Sequence, residues 1–134
     1  MPHSADFPPS PRLLLIGRDL RMHHVLGRLF RGIYEVDHAY SGFLALTLMR
    51  EQSYGLILVS TQLPGYSSQR LLREIASVPG YAQVPVVGVV PFDALDEEID
   101  VAAQQESYAD CLTQPLRAED VRPRINDLLT EGRC

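Results

Sequence analysis

The chain has 134 residues, 46% hydrophobic and 22% charged, with a formal net charge of −5. This is enough sequence for one domain, able to bury about two-thirds of its unfolded surface, and its composition is that of soluble globular proteins. The acidic balance argues against direct nucleic-acid binding, no apolar run reaches the ~20 residues of a membrane helix, and no signal segment opens the chain.

Cys111 and Cys134 are too few for a disulfide framework, so the cytoplasm is the expected compartment. Met1 to Pro11 carries four prolines and no apolar period, and reads as a disordered or loosely attached tail. The domain proper is expected over residues 12–131. Leu13 to Ile16 is a short apolar run that fits a buried strand. Met22, Val25, Leu26, Leu29 and Phe30 then fall at helical spacing, with Arg21, His24, Arg28 and Arg31 around the stripe. Gly32 ends this helix. His23 and His24 point about 100° apart, a poor metal pair, and both are expected in solvent.

Tyr34 to Tyr40 alternates, as an edge strand does. Ser41 is placed to cap a helix whose core side is Leu44, Ala45, Leu48 and Met49. Leu56 to Gly65 reads LILVSTQLPG: four apolar residues run into Ser60 and then a turn. An unbroken apolar run of this kind marks a strand buried on both faces, inside a parallel sheet whose carboxyl rim carries the chemistry. A helix is expected from about Ser67 to Ser77, with Leu71, Leu72, Ile75 and Ala76 inward. Pro85 to Val90 is another apolar strand. A fourth helix is expected over about Leu95 to Glu106, then a short strand over Asp110 to Thr113. The final helix contains Pro123, which the first turn tolerates best, so Asp120 is its expected N-cap. Val121, Ile125, Leu128 and Leu129 then face inward. Strand and helix alternate five times, which predicts a parallel α/β sheet with helices on both faces.

LLLI with its helix, YEVDHAYSGFLAL, LILVSTQLPG, VPVVGVV and DCLTQPL together resemble the receiver domain of bacterial two-component response regulators, from Arg12 to about Leu129. The resemblance implies a flavodoxin-like (CheY-like) doubly wound five-stranded sheet of order 2-1-3-4-5. It also implies a site at the carboxyl ends of the strands: an acidic pair that helps hold Mg²⁺, a phospho-accepting aspartate, a Ser or Thr, a Lys before a proline, and a switch aromatic. Carried over position by position, the acidic pair falls on Gly17 and Arg18, the acceptor on Ser60, the hydroxyl on Val90, the lysine on Gln114 and the aromatic on Cys111. Asp19 and Pro115 remain, and Gln114–Pro115 is where the family carries a cis peptide.

The frame is kept and the chemistry is removed. Ser60 cannot form an acyl phosphate, and a phosphoserine would need a base that the sequence does not place there. Arg18 beside a divalent ion would cost on the order of several kcal/mol even at an effective dielectric of ~20. No metal and no cofactor is expected. Two readings of Arg18 stay open: it extends into solvent or pairs with Asp19, or its guanidinium fills the old site and donates to Ser60, Gln114 or strand-end carbonyls. Val90 and Cys111 read as core. Asp93, Asp96, Glu97, Glu98 and Asp100 form an acidic run that reads as a solvated face or as a dock for a basic partner.

The expected function is that of a pseudo-receiver, not an enzyme, acting in a signalling complex through protein contacts that do not need phosphorylation. The expected face joins the fourth helix, fifth strand and final helix through Asp96, Glu97, Asp100, Tyr108, Leu116, Arg117, Arg122 and Arg124, with a homodimer as one form. The alternatives are a working phosphorelay receiver with Ser60 or Asp19 as acceptor, the N-terminal regulatory domain of a transcriptional regulator, and a small-molecule binder using the old pocket.

Overall fold

In the computed structural model, residues 11–63, 67–90 and 108–131 are described. Five parallel strands form one sheet: β1 (Arg12–Ile16), β2 (Glu35–Ala39), β3 (Leu56–Ser60), β4 (Val86–Val90) and β5 (Asp110–Thr113). Their order is β2-β1-β3-β4-β5, the flavodoxin-like order that the resemblance implied. The helices are α1 (Leu20–Leu29), α2 (Gly42–Glu51), α3 (Ser68–Ser77) and α4 (Ala118–Glu131). The tail through Ser10, the expected fourth helix and the acidic run from Asp93 to Asp100 lie outside the described residues.

β3 is buried along its whole length because both its faces are covered. Leu56 and Leu58 enter a core with Leu13, Leu15, Met22, Leu26, Phe30, Val121 and Ile125. Ile57 and Val59 enter a second core with Leu14, Ile16, Ala45, Met49, Leu71 and Ile75. Strand alternation thus sends α1 and α4 to one face and α2 and α3 to the other. At β2, Tyr54 donates its hydroxyl to Asp37 Oδ2 (2.7 Å), which also pairs with Arg12 (3.4 Å).

The helices start on short polar side chains. Asp19, Ser41 and Ser67 cap α1, α2 and α3, each accepting a backbone N–H of the first turn. Two expected core positions are exposed instead. Leu44 and Ala76 sit at the margins of their apolar stripes, where the sheet no longer covers them. α4 begins at Ala118, two residues before the expected cap, so Pro123 lies within the helix. Its missing N–H leaves the Glu119 carbonyl without a helical donor, and both residues are exposed, where solvent can supply one.

Gly27 interrupts α1 at mid-helix, where glycine costs about 1 kcal/mol relative to alanine. A Cβ there would meet only the His38 ring, at 3.7 and 3.9 Å, which is ordinary contact.

His23 corrects the sequence reading: it is 4% exposed, whereas His24 beside it is in solvent. It is tolerated inside because both its nitrogens are paired. Nε2 lies 2.7 Å from the Gly17 carbonyl and Nδ1 lies 2.9 Å from His38 Nδ1. The Gly17 oxygen can only accept, so the His23 proton is on Nε2, and His23 Nδ1 accepts from His38 Nδ1–H. The Tyr40 ring closes over the pair, 4.5 Å from His23. Burial is the main cause that lowers the His23 pKa below 6.5; the neighbouring His38 acts the same way, while the Gly17 carbonyl and Asp19 oppose it. A depressed folded-state pKa gives stability that is complete above the unfolded value of 6.5 and is lost as pH falls below it. Urea unfolding at about pH 7.5 and about pH 5.5 checks this. His23→Leu should cost about 1–3 kcal/mol at the higher pH, because Gly17 and His38 lose their partner. The wild type should lose more stability than the variant on acidification.

Candidate functional site

The carboxyl ends of β1, β3, β4 and β5 meet on one rim. The backbone ladder continues past the strands there: Thr61 N–H donates to the Val89 carbonyl (3.0 Å) and Gln114 N–H to the Val90 carbonyl (3.1 Å). Gly17 N–H donates to the Ala39 carbonyl (3.0 Å). This brings Gly17, Ser60, Val90 and Gln114 to one edge, as the sequence correspondence requires. Gln114–Pro115 is a cis peptide.

The space between β1 and β3 at this rim is filled. A Cβ placed on Gly17 would lie 2.9 Å from Met22 Cε and 3.1 Å from Ser60 Cβ. A side chain at residue 17 therefore has to displace the end of Met22 and press on β3. Ser60 is 4% exposed. Its hydroxyl donates to the Gln62 carbonyl (3.1 Å) and accepts from Gln62 N–H (3.3 Å), so it closes its own turn. Val90 is buried and offers no polar atom.

Arg18 is exposed and makes no hydrogen bond or ion pair with a described residue. The reading in which its guanidinium fills the old site and bonds Ser60 or Gln114 is not what the structure shows. Asp19 is exposed too, and its Oδ1 accepts from Arg21 N–H (2.9 Å) as the cap of α1. The family's Mg²⁺ needs carboxylate oxygens. This rim presents a glycine, a permanent cation, a capping aspartate turned to α1 and a neutral hydroxyl, so its residues do not fit that ion. Among the described residues, no group of three or more His, Cys, Asp or Glu is placed to hold a metal.

Cys111, at the switch position, packs at the edge of the α2–α3 core. Burial first, and then Asp110, push its thiol pKa upward, which keeps it protonated and a poor nucleophile. Gly88 of β4 explains a residue that sequence reasoning misplaced. Tyr108, expected on an interaction face, is 7% exposed. Its ring lies over Gly88, where a Cβ would come within 2.9 Å of it.

Of the same expected face, Leu116 is half-buried against the α1–α4 core and Arg117 is exposed. Arg122 donates through Nε to the Leu29 carbonyl (3.0 Å), tying α4 to α1. Arg124 holds Asp110 through two bonds (2.7 and 3.0 Å) and also reaches the Cys111 carbonyl and Asp120. Arg124 is thus ion-paired within the fold, whereas Arg122 is exposed and its charge meets no carboxylate among the described residues. Asp96, Glu97 and Asp100 lie outside the described residues. The polar cluster of His23, His38 and Tyr40 was missed, because it joins a helix residue to an edge strand by contacts that no local spacing announces.

No family model matches the chain. It is 26% identical over 121 residues to the sensor histidine kinase TmoS of Ectopseudomonas mendocina, covering 90% of this chain and 12% of that protein. It is 31% identical over 120 residues to a CpxR homolog, a transcriptional regulatory protein of Haemophilus influenzae, covering 88% of this chain and 50% of that one. The chain therefore spans half or less of these two relatives. Among solved structures it is similar to the receiver domain of the sensor histidine kinase PA1611 from Pseudomonas aeruginosa PAO1. That match has a TM-score of 0.75 at 22% identity and covers 91% of this chain and 99% of the other. A response regulator receiver domain protein from Clostridium thermocellum aligns with a TM-score of 0.72 at 22% identity, covering 92% and 97%. The chain has the receiver-domain fold, and its similarity to two-component signalling proteins runs along about nine-tenths of its length.

Proposed function

We propose that this chain is a pseudo-receiver: a receiver fold that works in signal transduction by protein contact and takes no phosphoryl group. The observation that carries the reading is the packing at Gly17. Where a receiver needs carboxylates, Met22 and Ser60 occupy the space, and Ser60 bonds its own turn. The replacements are also concerted. An altered acceptor alone leaves room for altered chemistry, but here the metal ligands, the acceptor, the hydroxyl and the lysine are all different. Ser60 is a poor acceptor because its hydroxyl is bonded to Gln62 and faces no base, and Asp19 is a poor one because its Oδ1 is engaged in capping α1.

With the phosphoryl chemistry gone, what the fold retains is surface. The relatives named above are signalling proteins in which this chain matches only a part, which supports a role as a contact module. A homodimer is one form of that role, with Arg117 and Arg122 as exposed cations of the expected face. The cytoplasm fits such a module.

Incubating the chain with acetyl phosphate and Mg²⁺ and measuring its intact mass tests the central point. The expected result is an unchanged mass for the wild type and for Ser60→Asp alone, because Gly17, Arg18, Val90 and Gln114 still supply no metal ligand and no lysine. A stoichiometric gain of one phosphoryl group by the wild type overturns the proposal. Light scattering across protein concentration tests the dimer. A dimer that Arg117→Glu dissociates supports that face, and a monomer at every concentration assigns the contact to a different protein.

A further inference from the structure

Between α1 and the carboxyl end of β2 lies an open depression of about 360 Å³, on the side of α1 away from α4. His23, His24, Arg28, Arg31, His38 and Tyr40 line it, and no carboxylate does. This is unusual for a chain of net charge −5. From residue 12 to residue 32 the sequence holds five arginines, two histidines and a single acid, Asp19, which is committed to capping α1. Arg28 and Arg31 are exposed, and their guanidinium groups have no carboxylate partner among the described residues. Two guanidiniums and no carboxylate facing one hollow disfavour a cation there and favour an anion.

The floor of the hollow is built. His23 is buried and locked between Gly17 and His38. That lock fixes the His38 proton on Nδ1, so His38 Nε2 is the ring position left for a ligand. The Nε2 edge lies above Gly27, 3.9 Å from where a Cβ would be. Any larger side chain at residue 27 would extend into the hollow, and a mid-helix glycine is tolerated there although alanine would suit the helix better.

We infer that this depression is an oxyanion site for a small phosphate-bearing molecule. Arg28, Arg31 and His24 face the phosphate, the two guanidiniums as its hydrogen-bond donors. The half-exposed Tyr40 ring offers a flat surface to the organic part. The volume is that of small-ligand pockets, which begin at roughly 300 Å³. Binding at this site uses none of the strand-end residues, so it stands apart from the pseudo-receiver reading.

The test is a titration of the whole chain with inorganic phosphate and, separately, phenyl phosphate, at constant ionic strength, followed by amide nitrogen–proton correlation spectra. Saturable shifts are expected at the amides of His23 to Arg31 and His38 to Tyr40, half-complete at about 1 mM or below. Gly27→Leu should fold as the wild type does or better, and lose binding at least ~10-fold by filling the hollow. Arg28→Gln with Arg31→Gln should lose binding to a similar degree. Phenyl phosphate should bind more tightly than inorganic phosphate. Shifts that stay linear and spread over the surface would overturn the proposal, as would saturable binding retained in both variants. Equal binding of the two probes would overturn the assignment of Tyr40.

Discussion

The lack of a side chain at Gly17 governs the packing of the whole strand-end rim. Because residue 17 is bare, the end of Met22 from α1 and Ser60 of β3 both come within about 3 Å of where its Cβ would stand (2.9 and 3.1 Å). The same residue offers its carbonyl to His23 and its N–H to Ala39. One position thus ties the end of β1 to α1, to β2 and to β3. A carboxylate there would have to displace the end of Met22, press on Ser60 and then be hydrated beside a thioether. Sterics and desolvation act in the same direction, so packing and residue type both disfavour a carboxylate at residue 17.

Most of the fold was legible from apolar runs. Leu13–Ile16, Leu56–Val59 and Val86–Val90 are continuous because each is covered on both faces, and Tyr34–Tyr40 alternates because β2 is an edge. The cap Ser41 could be read because capping is local chemistry. What could not be read depends on partners far along the chain. The burial of His23 needs a carbonyl from Gly17 and a ring from His38. Tyr108 is drawn inward by the bare backbone of Gly88, twenty residues earlier. Arg124 looks like a free surface charge in sequence and is paired with Asp110, while Arg122 ties its Nε to the Leu29 carbonyl. The start of α4 is not legible from Pro123, because on an exposed face solvent can donate to the carbonyl that the proline leaves without an N–H.

The positional map of the site came through because it rests on register, which parallel pairing fixes. Gly17, Ser60, Val90 and Gln114 end on one edge whatever their side chains are. The fate of Arg18 was beyond sequence reasoning, since extended and inserted guanidiniums have the same neighbours in the chain. The structure places it in solvent, so the rim is closed by apolar packing and a self-satisfied hydroxyl and not by a substitute cation.

The account stands on the claim that this rim cannot hold a divalent ion. Manganese is a direct probe, because a bound paramagnetic ion broadens nearby amide resonances steeply with distance and does so without any phosphoryl donor. With Mn²⁺ added in millimolar amounts, the amides of Gly17, Ser60 and Val90 should broaden no more than those of the sheet's opposite end. Selective, saturable broadening at those three amides, reversed by Mg²⁺, would contradict the account.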